Sequence, residues 1–396
     1  MAGIEMIYPE LIINTKNWQH LYHAWKSERL PHALLFHGPQ GTGKEGHALE
    51  LTAMLNCTGE NTPPCGYCPS CKKTKSFQNG SVKLILPLPR GKISSSNDPS
   101  MKAFRNEKAL DDYLKMLKEK SQDPYYNIQI TGANTILINS IREIKQDVSM
   151  STVNNEWKVI LIFQAEKLCV PSPAAAHALL KVLEEPPERT VFILVSSQPN
   201  VILDTIHSRC QSLYFPPISN AVIQNQLVQS GIDQVEATVI ARISSGNVGI
   251  SRKLQDDYSD TMEKLYTFLN ACFSKDPSVW EKCIDISVRL KNKNIIKLEQ
   301  LFRFTALFFR DLLYYKITGV DDEIIFKNQM GKIDKLSKAY PEGDWQACIQ
   351  HIENTQNYIL RNGYLPLMIT NMMIDIHKAL EGKFHKPFQL SDWTPV

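Results

Sequence analysis

Residues Gly38-Pro39-Gln40-Gly41-Thr42-Gly43-Lys44 set three glycines and a lysine between a short apolar run and a helix-forming stretch. The run Ala33-Leu34-Leu35-Phe36-His37 reads as a buried strand, and Lys44 through Leu55 reads as a helix. Strand, Gly-rich loop and helix in that order are the context of a phosphate-binding loop, whose backbone N–H groups cradle phosphates while the lysine reaches the terminal ones. The next position should carry a Ser or Thr hydroxyl for Mg²⁺ and carries Glu45 instead. A carboxylate there adds negative charge beside any bound phosphate.

Such a loop demands a mostly parallel α/β sheet, and the chain supplies two more continuous apolar runs, Val159–Phe163 and Val191–Val195. Runs without alternation suit parallel strands covered on both faces. Trp18, Leu21, Tyr22 and Trp25 recur at helical spacing ahead of the first strand. A helix over about Ala174–Glu185 is stopped by Pro186-Pro187. Residues 88–128 read as an insertion on this core. They hold a polar, Ser-rich loop from Gly91 to Ser100, expected to be mobile, and an amphipathic helix marked by Leu110, Tyr113, Leu114 and Leu117. After Pro216-Pro217 the pattern turns helical. Leu301, Phe304, Phe308, Leu312 and Tyr315 line one face of a helix whose other side carries Phe302 and Phe309, as in a bundle, and a last apolar helix spans about Leu365–Leu380.

Composition narrows the class. A net charge of +3 does not by itself mark a nucleic-acid or membrane protein. No basic segment followed by an apolar run opens Met1–Asn14, and no stretch nears the roughly 20 apolar residues of a membrane span. The expectation is a soluble cytoplasmic protein. Nine cysteines in a reducing compartment then favour metal binding over disulfides. Cys57, Cys65, Cys68 and Cys71, spaced C-x7-C-x2-C-x2-C, can close a tetrahedron around a structural Zn²⁺. An iron–sulfur run would need a fourth cysteine where Lys75 stands. Cys169, Cys210, Cys272, Cys283 and Cys348 are scattered and read as core thiols.

A working P-loop ATPase ends its second apolar strand in acidic residues that support the metal and polarise water. Here the strand runs into Ile162-Phe163-Gln164-Ala165, and Glu166, further on, reads as a solvated helix-start glutamate. Hydroxyl, metal-supporting acid and catalytic base are all missing, which argues against efficient ATP hydrolysis. Nucleotide binding stays open. Ser208-Arg209-Cys210 follows the third apolar strand near the sheet edge, where Arg209 either reaches a neighbour's γ-phosphate or makes a surface salt bridge. Arg252, at a helix start after Gly249-Ile250-Ser251, is either a phosphate contact or an exposed helix arginine.

Over residues 15 to 260 these features together resemble the bacterial clamp-loader branch of the AAA+ family. The cysteine module after the P-loop helix, the run Ala178–Pro187 (ALLKVLEEPP) and the Ser208-Arg209-Cys210 triplet carry the likeness. The resemblance implies an AAA+ core over 1–217 with the zinc module at about 57–71, a helical lid over 218–258 and a helical collar over 259–396. It places Gly38, Gly41, Gly43, Lys44, Ser197 (near sensor 1) and Arg252 (sensor 2) at a nucleotide site. It makes Arg209 an arginine acting in trans.

Within the family the altered P-loop and lost acidic pair resemble the delta-prime type, a non-hydrolysing stator, and not gamma/tau. The implied partners are gamma/tau and delta subunits and, through the complex, the sliding clamp and primed DNA. Two rival readings from other classes stand beside it. One is an active gamma/tau-like ATPase that recruits Glu45 or Glu166. The other is a zinc module that binds DNA directly, for which Lys72, Lys73 and Lys75 are the few nearby bases.

Overall fold

The computed structural model describes residues 6–60, 62–95, 98–149, 156–293, 295–359 and 363–382. Met1–Glu5, within the opening stretch, and Ser96 and Asn97, within the Ser-rich loop, lie outside them. The chain divides into two compact units: residues 1–219 with 246–250, and residues 220–245 with 251–396.

The first unit is built on a five-stranded parallel sheet. In chain order its strands are β1 (Ala33–His37), β2 (Val82–Ile85), β3 (Lys158–Phe163), β4 (Thr190–Ser196) and β5 (Gln211–Tyr214), and in space they run β2-β3-β4-β1-β5. The three strands read from apolar runs are the three inner ones. Val159 to Phe163 and all of β4 are buried, as sheet interiors covered on both faces must be. The edge strands escaped the sequence reading. β2 (VKLI) and β5 (QSLY) are four residues long and mix polar with apolar, because an edge strand covers less.

Helix Lys44–Leu55 leaves the sheet at the P-loop and is buried at every position except Glu45. One face of the sheet packs against the helices Ile138–Ser149 and Ala174–Glu184, sharing a core of Leu35, Ile160, Ile162, Phe192 and Leu194 with Ile141, Ile144, Leu179 and Leu183. Helix Thr15–Lys26 buries Trp18 and Leu21, capped by Asn14, whose side chain accepts from the Asn17 N–H.

The insertion shares a small core with the segment that follows it: Leu88, Ala103, Phe104 and Leu137, with Ile93, Leu110, Tyr113 and Ile130 against it. Its helix, Glu107–Gln122, stacks Tyr113 on Phe104 with ring centroids 5.1 Å apart. Leu114, read as part of the apolar stripe, is half exposed, while Lys120 is the helix's one buried residue. The buried face is thus narrower than the apolar pattern suggested, and it ends in a charge.

Among its described residues, the regular elements of the second unit are all helices. It contains Asn220–Gln229, Gln234–Ser244, the helix Val248–Phe273 from Ser251 onward, Pro277–Lys293, Ile295–Thr318, Met330–Ala339, Trp345–Ile359 and Leu365–Leu380. Phe302, Phe304, Phe308, Phe309 and Leu312 are all buried, as a helix apolar on both sides requires. Phe309 and Trp345 both pack against Phe273. Among the described residues no helix is long and apolar enough to cross a membrane.

Candidate functional site

The carboxyl ends of β1, β3 and β4 lie side by side. His37 is in register with Ser196, and Phe163 with Val195. In open parallel sheets this is the end at which ligands bind. The P-loop departs from here. Its turn needs residues without side chains: Gly38 has φ 137°, and a Cβ on it would lie 2.2 Å from the Phe215 carbonyl oxygen. Gly41 has φ 73°, and there a Cβ would lie 1.8 Å from Asn247 Oδ1. Gly43, at φ 81°, starts the helix without a side-chain cap.

The lysine of the loop is turned inward. Lys44 Nζ donates to the carbonyls of Gly38 at 2.8 Å and Pro39 at 2.5 Å, and the residue is 5% exposed. Burial pulls its pKa down to about 8, against the opposing charges of Glu45 and Glu166. One turn on, His47 Nε2 accepts from the Asn14 N–H at 2.9 Å, so the proton sits on Nδ1, which donates to the Gly43 carbonyl at 2.8 Å. Burial holds His47 neutral, with its pKa lowered to about 4.

Glu45, at the position of the metal-binding hydroxyl, pairs with Lys120 from the insertion helix. Gln164, just past β3 where an acidic residue would stand, has a left-handed backbone (φ 54°), and its amide donates to the Ile128 carbonyl at 2.8 Å. The residues at this end do not fit a Mg²⁺–nucleotide. The hydroxyl is a carboxylate already paired with an ammonium, the strand-end acid is an amide, and the lysine is bonded to its own loop.

Glu166 corrects its sequence reading. It is 8% exposed, and its Oε2 accepts from Ser196 Oγ at 2.6 Å, while Ser196 Oγ accepts from the Gln198 N–H at 3.0 Å. The turn Ala165–Leu168 folds Glu166 beneath the end of β4, a placement local pattern does not encode. Ser197, the sequence candidate, is half-buried beside Ser196. Arg209 lies two residues before edge strand β5. It donates to the Thr205 carbonyl at 3.0 Å and to Glu184 Oε1 at 2.8 Å, with both side chains of the ion pair well exposed. Arg252 belongs to the helical unit and is half-buried.

The cysteine module follows the P-loop helix. The Sγ atoms of Cys57, Cys65, Cys68 and Cys71 lie within 4.8 Å of one another, and the last three residues are buried. A tetrahedral zinc with Zn–S bonds of about 2.3 Å needs sulfurs about 3.8 Å apart, a spacing within easy reach. Backbone N–H groups of Cys65, Cys68 and Cys71 each point at the preceding cysteine's sulfur at 3.4 Å, the pattern that supports thiolates. Burial opposes ionisation of Cys68, but the Cys71 and Thr58 donors outweigh it and hold its pKa at about 6. Burial, together with the neighbouring sulfurs, pushes Cys71 up, so four thiolates this close need a cation. The donor set fits a metal ion such as zinc. Of the three nearby lysines, Lys72 and Lys73 are exposed, whereas Lys75 Nζ sits 4.9 Å over the Tyr8 ring.

A family model described as DNA polymerase III, delta subunit, matches residues 13–219. The chain belongs to that family. It is similar to the DNA polymerase III subunit delta' of Bacillus subtilis, 27% identical over 247 residues, which are 62% of this chain and 60% of that protein. The subunit tau of the same organism is 29% identical over 235 residues, 58% of this chain and 33% of that protein. The subunit tau of Escherichia coli is 28% identical over 200 residues, 50% of this chain and 24% of that protein. The matches thus span less than two thirds of each of these relatives.

Proposed function

We propose that the chain is a delta-prime-type clamp-loader subunit of the bacterial DNA polymerase III holoenzyme. In this reading it is a stator that does not hydrolyse ATP and that lends Arg209 to the ATP site of an adjacent gamma/tau subunit. ATP on the neighbour would set the conformation that opens the sliding clamp and grips primed DNA. Hydrolysis there, aided by Arg209, would release the clamp onto DNA. The carrying observation is the contrast between two basic groups. Lys44 is buried and bonded inside its own loop, whereas Arg209 sits beside an edge strand, held by an exposed ion pair with Glu184 and a bond to the Thr205 carbonyl. Exposed pairs are worth about 0–1 kcal/mol, so moving Arg209 to a partner's phosphate costs little.

The other assignments follow the same reading. Residues 218–258 are the lid and 259–396 the collar that joins partner subunits. Ser197 and Arg252 are the remnants of the nucleotide sensors. Cys57, Cys65, Cys68 and Cys71 would hold a structural zinc that pins the loop after the P-loop helix. With Lys75 engaged on Tyr8, the module offers little for direct DNA contact.

The test is the reconstituted complex with Arg209→Ala. The subunit should assemble normally, while ATP turnover and clamp loading fall, by on the order of 10³ if the arginine is fully catalytic. Loading at the normal rate would remove the trans role. One observation favours a gamma/tau-like ATPase as a second reading: Glu166 is a buried carboxylate at the nucleotide end of the sheet, bonded to Ser196. Turnover by the isolated chain that disappears in Lys44→Ala would establish it.

A further inference from the structure

The insertion does more than decorate the core, because its returning segment closes over the P-loop. Lys120, 1% exposed, is the one buried residue of helix Glu107–Gln122, and its ammonium meets three acceptors: the Glu45 carboxylate, the Pro124 carbonyl at 2.7 Å and the Tyr126 carbonyl at 2.8 Å. An ammonium has three N–H groups, so no donor is left for a phosphate. It also lies 5.9 Å from the Phe163 ring centroid, at the end of β3. A single cation therefore stands between the residue that would ligate a P-loop metal and the strand end that would support it.

The segment that follows seals the same place. A Cβ on Gly46 would lie 3.0 Å from Pro124 and one on Gly43 3.4 Å from the Tyr125 ring. Tyr125 Oη accepts from the Ile12 N–H at 2.8 Å, and the Ile128 carbonyl takes the Gln164 amide. Both positions that lost their metal chemistry, Glu45 and Gln164, are thus bonded to residues 120–128.

We infer that Lys120 is a tethered replacement for the P-loop metal and that residues 120–128 are a resident plug excluding Mg²⁺–nucleotide from this chain's own loop. The inference rests on the reading of the chain as non-hydrolysing but not on the role of Arg209. The insertion thereby acquires a function of its own, since the charge that a metal would supply is built into the fold and needs no ligand.

The test is thermal unfolding of the full chain with and without Mg²⁺, for wild type, Lys120→Met, Glu45→Gln and the double variant, beside calorimetric titration of wild type with Mg·ATP. Lys120→Met leaves Glu45 without its cation and should lower Tm by roughly 5–10 °C. Added Mg²⁺ should recover part of that loss in Lys120→Met alone, because only there is the Glu45 carboxylate free to take it. The double variant, with neither charge, should melt close to wild type and ignore Mg²⁺. If Lys120→Met does not fold, the double variant decides: recovery supports the pair, and failure overturns it. Unchanged melting of Lys120→Met, or a Mg²⁺ response in wild type equal to that of the variant, also overturns it. Binding of Mg·ATP by wild type would remove the plug yet leave Arg209 to be judged in the complex, whereas a silent Arg209→Ala would leave the plug standing.

Discussion

The Arg209 guanidinium donates to the Glu184 carboxylate at 2.8 Å, joining the Ser-Arg-Cys triplet to the ALLKVLEE helix across 25 residues of sequence. The pair is exposed on both sides, with side chains 36% and 50% accessible, so it orients the arginine without holding it. We expect Glu184→Gln to change stability by less than about 1 kcal/mol in denaturant unfolding. In the assembled complex it should leave ATP turnover at or above the wild-type rate, because the arginine is released. Turnover lost as completely as in Arg209→Ala would instead make Glu184 part of the arginine's working position.

The cysteine module predicts one zinc per chain, measurable by atomic emission after purification without added metal. Cys71→Ser should abolish it, and chelation of the wild type should lower Tm, since binding energy at a closed thiolate site is folding energy. A metal-free chain that melts as the wild type does would rule out a structural centre.

Ser196→Ala removes the hydroxyl bonded to the buried Glu166. An abandoned buried acceptor costs about 1–3 kcal/mol, which chemical denaturation can resolve. A loss below about 0.5 kcal/mol would mean that Glu166 finds another donor.

Stability should also depend on pH through Glu50. Its carboxylate accepts from the Ile7 N–H at 3.0 Å and the Tyr8 N–H at 2.7 Å, yet burial wins and raises its pKa from 4.5 to about 7. A carboxyl whose pKa is raised by folding binds its proton more tightly in the native state. Its stabilising contribution is full below about pH 4.5 and is lost as pH rises through 7. His47 works in the opposite sense: with its pKa lowered to about 4, it costs stability as pH falls from 6.5. In Glu50→Gln the decline between pH 4.5 and 7 should disappear and leave the histidine slope. An unchanged pH profile would show that Glu50 titrates normally.

Much of this protein is legible in sequence because its signals are local. The continuous apolar runs became β1, β3 and β4, since a strand covered on both faces must be apolar throughout, and Lys44–Leu55 begins where the third glycine ends the loop. The cysteine spacing announced the cluster of four sulfurs, because C-x2-C steps in one loop bring sulfurs together whatever the rest does. The edge strands β2 and β5 were not legible, because half-covered strands need little apolar sequence.

What tertiary structure alone decided is the state of the P-loop. Sequence put Glu45 and Gln164 where a working P-loop ATPase carries a hydroxyl and an acid, and could not say what met them. The answers, Lys120 and Ile128, come from an insertion 75 and 36 residues away along the chain. Glu166 likewise read as solvated until the turn after β3 brought it under Ser196. Loop and helix signals reside in neighbouring residues. The partner of a buried charge is set by which distant segment the fold packs against it, and no local pattern carries that information.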